Sequence, residues 1–268
     1  MIQSLELGGF PIVLKNQAVS SVTVLALHGA WGAARSFDWF SLEAERRNIR
    51  VIAPDMNYGP RTLARDLKKL ESFLQVTGNV VHIVAHSAAA PVALALAVGA
   101  TTSYVRSITL VSPVPPSGIP IERMVLGLLG VYASRMQDLG DNLVELSRED
   151  AELLFMECIP ESERDLFYSN LVPVPASLLS DLAALSIAGG SIRINQRDRD
   201  RLGRVPRRLV RGGKDPICTW PVARDILKIF GTDEAEDRCI QRAGHALLVE
   251  PAKESATELI LDFIRSVR

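Results

Sequence analysis

The chain contains 268 residues, 47% of them hydrophobic and 23% charged, and its formal net charge is −1 at pH 7. This composition is typical of a globular protein rather than a disordered one, and the length accommodates one sizeable α/β domain with an insertion. The balanced charge gives no electrostatic reason to expect a nucleic acid or a strongly acidic partner.

The three cysteines, Cys158, Cys218 and Cys239, are widely spaced. They fit neither a metal site nor a disulfide framework, which favours a reducing compartment. Residues 1–9 include Glu6 but no basic residue, unlike a signal peptide. No apolar segment is long and uninterrupted enough to span a membrane. We therefore expect a cytoplasmic protein with no membrane partner and no bound metal. A phosphate-binding glycine loop and a dinucleotide fingerprint are also missing, so no cofactor is expected.

Strand and helix patterns alternate through the first part of the chain. Strands are predicted at residues 2–7, 11–14, 22–27, 49–53, 80–84 and 105–111, and helices at residues 36–47, 62–76 and 88–98. This alternation predicts an α/β fold, a mostly parallel sheet with helices on both faces. Ligand sites in such sheets lie at the carboxyl ends of the strands.

Residues 112–118, which contain three prolines, interrupt the alternation. No strand is predicted from 119 to 202, where helical patterns occur at 121–134, 147–158, 161–170 and 176–185. We interpret 119–202 as a helical cap inserted between two parts of the core, 1–118 and 203–268. Apolar cap side chains that could line a pocket are Leu126, Leu128, Leu129, Met136, Phe155, Met156 and Phe167.

The last part of the chain returns to sheet and helix patterns, with strands predicted at 207–210 and 236–240 and helices at 221–230 and 253–267. Eight arginines between 193 and 211 alternate with Asp198 and Asp200. This run is interpreted mainly as a solvated surface, with a phosphate or coenzyme A contact from Arg207 or Arg208 as a minor alternative.

The segment around Ser87 carries the clearest chemical signal. The apolar run 80–84 leads into Ala85-His86-Ser87-Ala88-Ala89, and an alanine-rich helical pattern follows at once. A serine between a strand and a helix projects its hydroxyl above the carboxyl edge of the sheet, provided that its neighbours are small. The usual pattern is Gly-x-Ser-x-Gly, with both glycines replaced by alanine here. Ser87 is therefore the candidate nucleophile.

A serine nucleophile needs an imidazole to accept its proton. Of the four histidines, His82 lies within a strand pattern and His86 precedes the serine with its side chain directed away, so we interpret both as structural. His28 ends the strand predicted at 22–27. His245 follows Gly244 and precedes the C-terminal helix, which makes it the candidate base.

The acid that orients this base is expected to follow a strand as well. Asp215 lies in the loop 211–217, directly after the strand predicted at 207–210. Such a loop is also an ordinary turn signal. The chain order serine, aspartate, histidine favours the catalytic interpretation of Asp215.

These features together resemble the α/β-hydrolase superfamily. The resemblance extends over nearly the whole chain and rests on His28-Gly29, Pro54-Asp55, Ser87, Asp215-Pro216 and Gly244-His245. It implies an oxyanion hole formed by the backbone N–H groups of Ala30 and Ala88. Trp31 is expected to shape the wall of the substrate pocket. The segment His28-Gly29-Ala30-Trp31 is also similar to the small-ester hydrolase and hydroxynitrile lyase branch.

The resulting prediction is a serine hydrolase, a carboxylesterase or thioesterase, that uses Ser87, His245 and Asp215 to cleave a small apolar acyl substrate. Its expected partner is that small molecule, and homo-oligomerisation stays open. One alternative is a cofactor-free lyase that uses the histidine as a general base. An active-site lysine in the cap would favour lyase chemistry, and residues 119–202 contain no lysine. The other alternative is a hydrolase-like protein that only binds its ligand.

Overall fold

The computed structural model describes residues 4–7, 10–14, 18, 20–57, 61–134, 143–185, 192–231 and 236–267. Its strands are β1 (Ser4–Leu7), β2 (Phe10–Leu14), β3 (Thr23–Leu27), β4 (Arg50–Pro54), β5 (Val81–His86), β6 (Val105–Val111), β7 (Leu143–Val144), β8 (Val174–Pro175), β9 (Arg207–Gly212) and β10 (Asp237–Ile240).

The helices separate and cover these strands. They are α1 (Asp38–Arg46), α2 (Leu63–Thr77), α3 (Ala90–Val98), α4 (Arg123–Ser134), α5 (Arg148–Phe155), α6 (Glu161–Ser169), α7 (Ala176–Leu185), α8 (Gln196–Leu202), α9 (Trp220–Phe230) and α10 (Lys253–Ser266). Short 3-10 helices occur at Ala34–Phe37, Ser87–Ala89 and Thr102–Tyr104. Within the described ranges, no helix is long and apolar enough to cross a membrane.

The main sheet has the strand order β1-β2-β4-β3-β5-β6-β9-β10. The six strands from β4 to β10 in this order pair in parallel, and the β1–β2 hairpin joins β4 in antiparallel orientation. This architecture confirms the predicted α/β fold with a mostly parallel sheet. Parallel pairing brings the carboxyl ends of β3, β5, β6 and β9 to one edge, where loops can carry a site.

Both faces of the sheet are covered, as the alternation of side chains along β3 illustrates. Val24 and Ala26 pack into an apolar cluster with residues of α1 and α10. Leu25 and Leu27 pack on the opposite face, into a cluster that contains residues of α2, α3 and α9. A strand buried on both faces is expected to read as a continuous apolar run, which is why the sequence located β3 and β5 accurately.

One prediction for residues 119–202 is wrong, and one helix in this range was not predicted. No strand was expected there, yet β7 and β8 pair in antiparallel orientation. Two residues per strand are too few for a recognisable alternation, and Pro175 is a poor strand residue by sequence alone. In addition, α8 begins inside the arginine run. Asn195 caps it by accepting from the Asp198 backbone N–H, and the Asp198 side chain accepts in return from the Asn195 N–H.

Candidate active site

Ser87 occupies a strained turn between β5 and α3. Its φ is 52°, in the left-handed region that non-glycine residues rarely adopt. The loop after β3 approaches this turn so closely that a Cβ on Gly29 would lie 2.7 Å from the Ser87 Cβ. Glycine is therefore required at position 29. Ala88 and Ala89, which follow the serine, are buried, in keeping with the need for small residues at such an elbow.

The structure brings Ser87, His245 and Asp215 into one chain of hydrogen bonds. His245 Nδ1 lies 2.9 Å from Asp215 Oδ1 and 3.1 Å from Oδ2, and His245 Nε2 lies 2.9 Å from Ser87 Oγ. A carboxylate can only accept, so Nδ1 carries a proton, and when the ring is neutral Nε2 is free to accept the serine hydroxyl proton. All three side chains are buried, at 6%, 1% and 4% exposure.

Asp215 is held in its ionised form by the loop after β9. Its Oδ1 accepts hydrogen bonds from the backbone N–H groups of Ile217, at 2.8 Å, and Cys218, at 3.0 Å. Burial alone would raise the pKa of Asp215, but the charge of His245 and the hydrogen bonds lower it overall. A carboxylate fixed in this way can hold one imidazole tautomer and stabilise the imidazolium.

The loops that carry Asp215 and His245 are joined through their backbones. Lys214 N–H donates to Ala243 C=O at 2.9 Å, and Gly213 N–H donates to Ile240 C=O at 2.9 Å. Any Cβ on Gly212 would lie 2.1 Å from the Gly244 carbonyl oxygen, so only glycine fits there. This contact explains Gly212 better than a simple turn does.

The loop after β3 holds Ala30 beside the elbow. His28, completely buried, fixes this loop: Nδ1–H donates to Gly29 C=O at 2.8 Å, and Nε2 accepts from Met56 N–H at 2.9 Å. Burial lowers the pKa of His28, in keeping with this neutral form. Ala30 lines the cavity described below, and Ala88 lies within the 3-10 turn Ser87–Ala89 that leads into α3. Their role as oxyanion donors remains a prediction.

Trp31 links this loop to the segment 143–185. Its φ is 54°, which for so bulky a residue is an outlier that surrounding contacts must maintain. The indole Nε1–H donates to Val144 C=O at 3.2 Å, and the Trp31 carbonyl accepts from Val172 N–H at 2.9 Å. The ring meets Tyr132 and Phe155 at centroid distances of 6.1 and 6.2 Å.

A cavity of about 310 Å³ lies between the sheet edge and helices α5 and α6. Trp31 lines it, as predicted for a pocket wall, and so do His86 and His245. Its walls are mainly apolar, from Phe155, Ile159, Leu166, Phe167, Leu171, Leu248 and Val249, with Arg35, Asp38, Glu163 and Asn170 as polar members. Of the cap residues considered from sequence, Phe155 and Phe167 line this cavity. Met136 lies outside the described residues.

Three residues around His245 have contacts that sequence reasoning missed. Phe155 stacks on its ring at a centroid distance of 5.4 Å. His86, interpreted as structural, also lines the cavity, and its Nε2–H donates to the His245 carbonyl at 3.0 Å. Burial, together with the charge of His245, lowers the pKa of His86 to about 3, so its ring is neutral. Glu250 accepts from the Gly244 N–H at 2.9 Å.

For Glu250 a signal was present in the sequence, because a carboxylate between Val249 and Pro251 in an otherwise apolar turn is expected to need a polar partner. The described residues contain no group of three or more His, Cys, Asp or Glu side chains that could hold a metal ion. Cys158, Cys218 and Cys239 are free thiols.

The parallel sheet and a serine at a strand-to-helix turn, hydrogen-bonded to a histidine, define the class of α/β hydrolases. A family model described as the alpha/beta hydrolase family matches residues 24–258, so the chain belongs to that family. The predicted resemblance is confirmed, and with it the assignment as an enzyme of the α/β-hydrolase type. No curated protein sequence matches the chain.

Solved structures share the fold at low sequence identity. A carboxylesterase from Nitrososphaera gargenis has a TM-score of 0.69 at 15% identity, covering 98% of each chain. A monoacylglycerol lipase from Paleococcus ferrophilus has a TM-score of 0.67 at 14% identity, over 92% of this chain and 95% of that one. A bromoperoxidase from Bacillus anthracis reaches 0.65 at 14% identity, over 96% of each. These similarities concern the fold, which hosts several chemistries.

Proposed function

We propose that this protein is a serine hydrolase that cleaves a carboxylic ester or thioester with a small apolar acyl group. The observation that carries the proposal is a pair of buried hydrogen bonds. One joins Ser87 Oγ to His245 Nε2 at 2.9 Å, and the other joins His245 Nδ1 to Asp215 Oδ1 at 2.9 Å. A serine hydroxyl is a weak nucleophile at neutral pH, and a base within hydrogen-bond distance removes that limitation.

In the first half of the reaction, Ser87 Oγ attacks the acyl carbon while its proton passes to His245 Nε2. Asp215 stabilises the imidazolium. The carbonyl oxygen becomes negative, and the N–H groups of Ala30 and Ala88 are its proposed donors. The tetrahedral intermediate expels the alcohol or thiol, which takes the proton from Nε2. Water, deprotonated by the same nitrogen, then attacks the acyl-enzyme and releases the acid and free Ser87.

The cavity supports an apolar small-molecule substrate. Phe155, Phe167 and Leu248 form much of its wall, and a volume of about 310 Å³ suits a small ligand. His245 is among the lining residues, so the cavity adjoins the proposed base. Trp31 contributes to the cavity wall next to Ala30, the proposed oxyanion donor, and is the residue proposed to contact the substrate.

The test is intact-mass analysis after treatment with a fluorophosphonate. Wild type is expected to gain one adduct and Ser87→Ala none. Ser112→Ala is the matched control, because Ser112 is also a buried serine with a positive φ, 44°, and its hydroxyl has no hydrogen-bond partner in the described part of the chain. The control is expected to label like wild type.

A panel of short-chain esters and thioesters then identifies the reaction. Ser87→Ala is expected to lower kcat by about 10⁴-fold or more on any substrate that wild type hydrolyses. If folded wild-type protein gains no adduct, acyl-enzyme chemistry is refuted. Tests of lyase activity and of ligand binding would follow, since these were the alternatives from sequence.

A further inference from the structure

Glu250 is a buried carboxyl group outside the Ser87–His245–Asp215 chain. Its side chain is only 1% exposed. Both carboxyl oxygens face one donor, the Gly244 N–H, at 2.9 and 3.2 Å. The turn after His245 makes this contact: Glu250 N–H donates to Ala246 C=O at 3.0 Å, which folds the carboxyl group back onto the residue before the histidine.

The backbone is therefore held on both sides of the His245 imidazole. On one side the Gly244 N–H donates to Glu250, and on the other the His245 carbonyl accepts from His86 Nε2–H at 3.0 Å. The neutral His86 ring gives a contact that does not change with pH above its pKa of about 3. The contact to Glu250 differs, because a carboxyl group can lose or gain charge.

The ionisable groups around Glu250 come from three segments. His245 lies on its own segment, Asp215 on the loop after β9, and the Cys158 thiol on the segment after α5. A Cβ on Gly244 would lie 3.2 Å from Glu250 Oε2 and 3.5 Å from Cys158 Sγ, so both approach the same glycine.

Burial raises the pKa of Glu250 to about 7 and Asp215 adds to this, while the Gly244 hydrogen bond and the charge of His245 oppose it. Lys214 and Glu157 act on the Cys158 thiol, whose pKa is raised, mainly by burial, so it is neutral in this range.

We propose that Glu250 is a positioning residue whose ionised carboxylate holds the Gly244 N–H and thereby aligns His245 with Ser87. The inference rests on the proposed function for its consequence on reactivity. A hydrogen bond to a charged acceptor is about twice as strong as one between neutral groups. Protonation of Glu250 therefore loosens the turn, and the reactivity of Ser87 falls as the pH drops through neutrality.

The first measurement requires no enzymatic activity. The amide proton shift of Gly244 is followed by NMR from pH 5.5 to 9 in wild type, in Glu250→Gln and in Glu254→Gln. Glu254 is a matched control, an exposed acid in the first turn of α10. Wild type and the control are expected to show a transition near pH 7 that is clearly smaller in Glu250→Gln, where only the neighbouring imidazole can still change charge. An unchanged transition in Glu250→Gln overturns the proposal.

The second measurement is the rate at which a fluorophosphonate labels Ser87 over the same pH range. Glu250→Gln is expected to be labelled about tenfold more slowly at pH 8.5, since a neutral amide replaces the charged acceptor. On the acidic side of the pH profile, the labelling rate of Glu250→Gln should depend on one ionisation, whereas that of wild type should depend on two. Thermal unfolding checks that the variant is folded.

The outcomes separate the two proposals. Equal rates and an identical pH profile in Glu250→Gln and wild type refute the role of Glu250. Failure to label wild type at any pH refutes the proposed function instead, and the Gly244 titration still decides whether the Glu250 carboxylate holds the turn.

Discussion

Among the described residues, two buried serine–histidine pairs lie at opposite ends of strand β5 in the main sheet. At the carboxyl end of β5, Ser87 Oγ is 2.9 Å from His245 Nε2. At the amino end, His82 Nδ1 is 2.8 Å from Ser107 Oγ on β6. Burial is similar too, with His82 5% exposed and Ser107 completely buried. A short distance between serine and imidazole therefore does not by itself distinguish a nucleophile.

The two pairs differ in their surroundings. Ser87 has a φ of 52° at a turn, whereas Ser107 lies inside the regular strand β6. The second nitrogen of His245 reaches Asp215, while among the described residues His82 has no carboxylate hydrogen-bond partner. Burial, together with the charge of Arg106, lowers the pKa of His82 to about 4. Among the described residues, only the pair at the carboxyl end has an acid to stabilise an imidazolium, and its histidine, unlike His82, lines a cavity.

The largest effect is expected from Asp215→Asn. This substitution removes the carboxylate that the Ser87–His245 pair has and the His82–Ser107 pair lacks. The Asn amide N–H donates a hydrogen bond to Nδ1, which favours the tautomer with the ring proton on Nε2. In that tautomer Nε2 can no longer accept the proton of Ser87. Loss of the correct tautomer costs about 10⁴-fold in kcat in serine proteases. We expect a fall of about 10³- to 10⁴-fold, measured on the best ester of the panel. A folded variant that loses less than tenfold would show that Asp215 does not orient the base.

A smaller effect is expected from Trp31→Phe, which tests the contact between the loop after β3 and the segment 143–185. The variant keeps an aromatic ring but loses the hydrogen bond to Val144 C=O. One neutral hydrogen bond contributes about 0.5–1.5 kcal/mol, so we expect kcat/KM to fall about three- to tenfold. Trp39→Phe is the control, because the Trp39 indole N–H has no hydrogen-bond partner among the described residues. Equal activity of the two variants would mean that the hydrogen bond from Trp31 to Val144 does not position the loop.

The sequence was sufficient to predict the elements that bear the candidate site. β3 and β5 are rich in apolar residues, and Ser87, Asp215 and His245 each follow a strand whose end was predicted within two residues. Parallel pairing then brings those ends to one edge. Contacts between distant segments could not be predicted in this way. Trp31 and Val144 are 113 positions apart, and nothing in the periodicity around either residue indicates the other.

The smallest effect on activity is expected from Ser107→Ala, which alters the serine–histidine pair at the amino end of β5. The change removes the hydroxyl beside His82 and leaves the imidazole of a buried, neutral histidine without that hydrogen bond. We expect unfolding to become easier by about 1–2 kcal/mol, because a buried polar atom loses its partner. Chemical denaturation measures this loss, while fluorophosphonate labelling of Ser87 should proceed at the wild-type rate. A reduced labelling rate in the folded variant would show that the two ends of β5 are coupled, and the pair at the amino end would then belong to the catalytic apparatus.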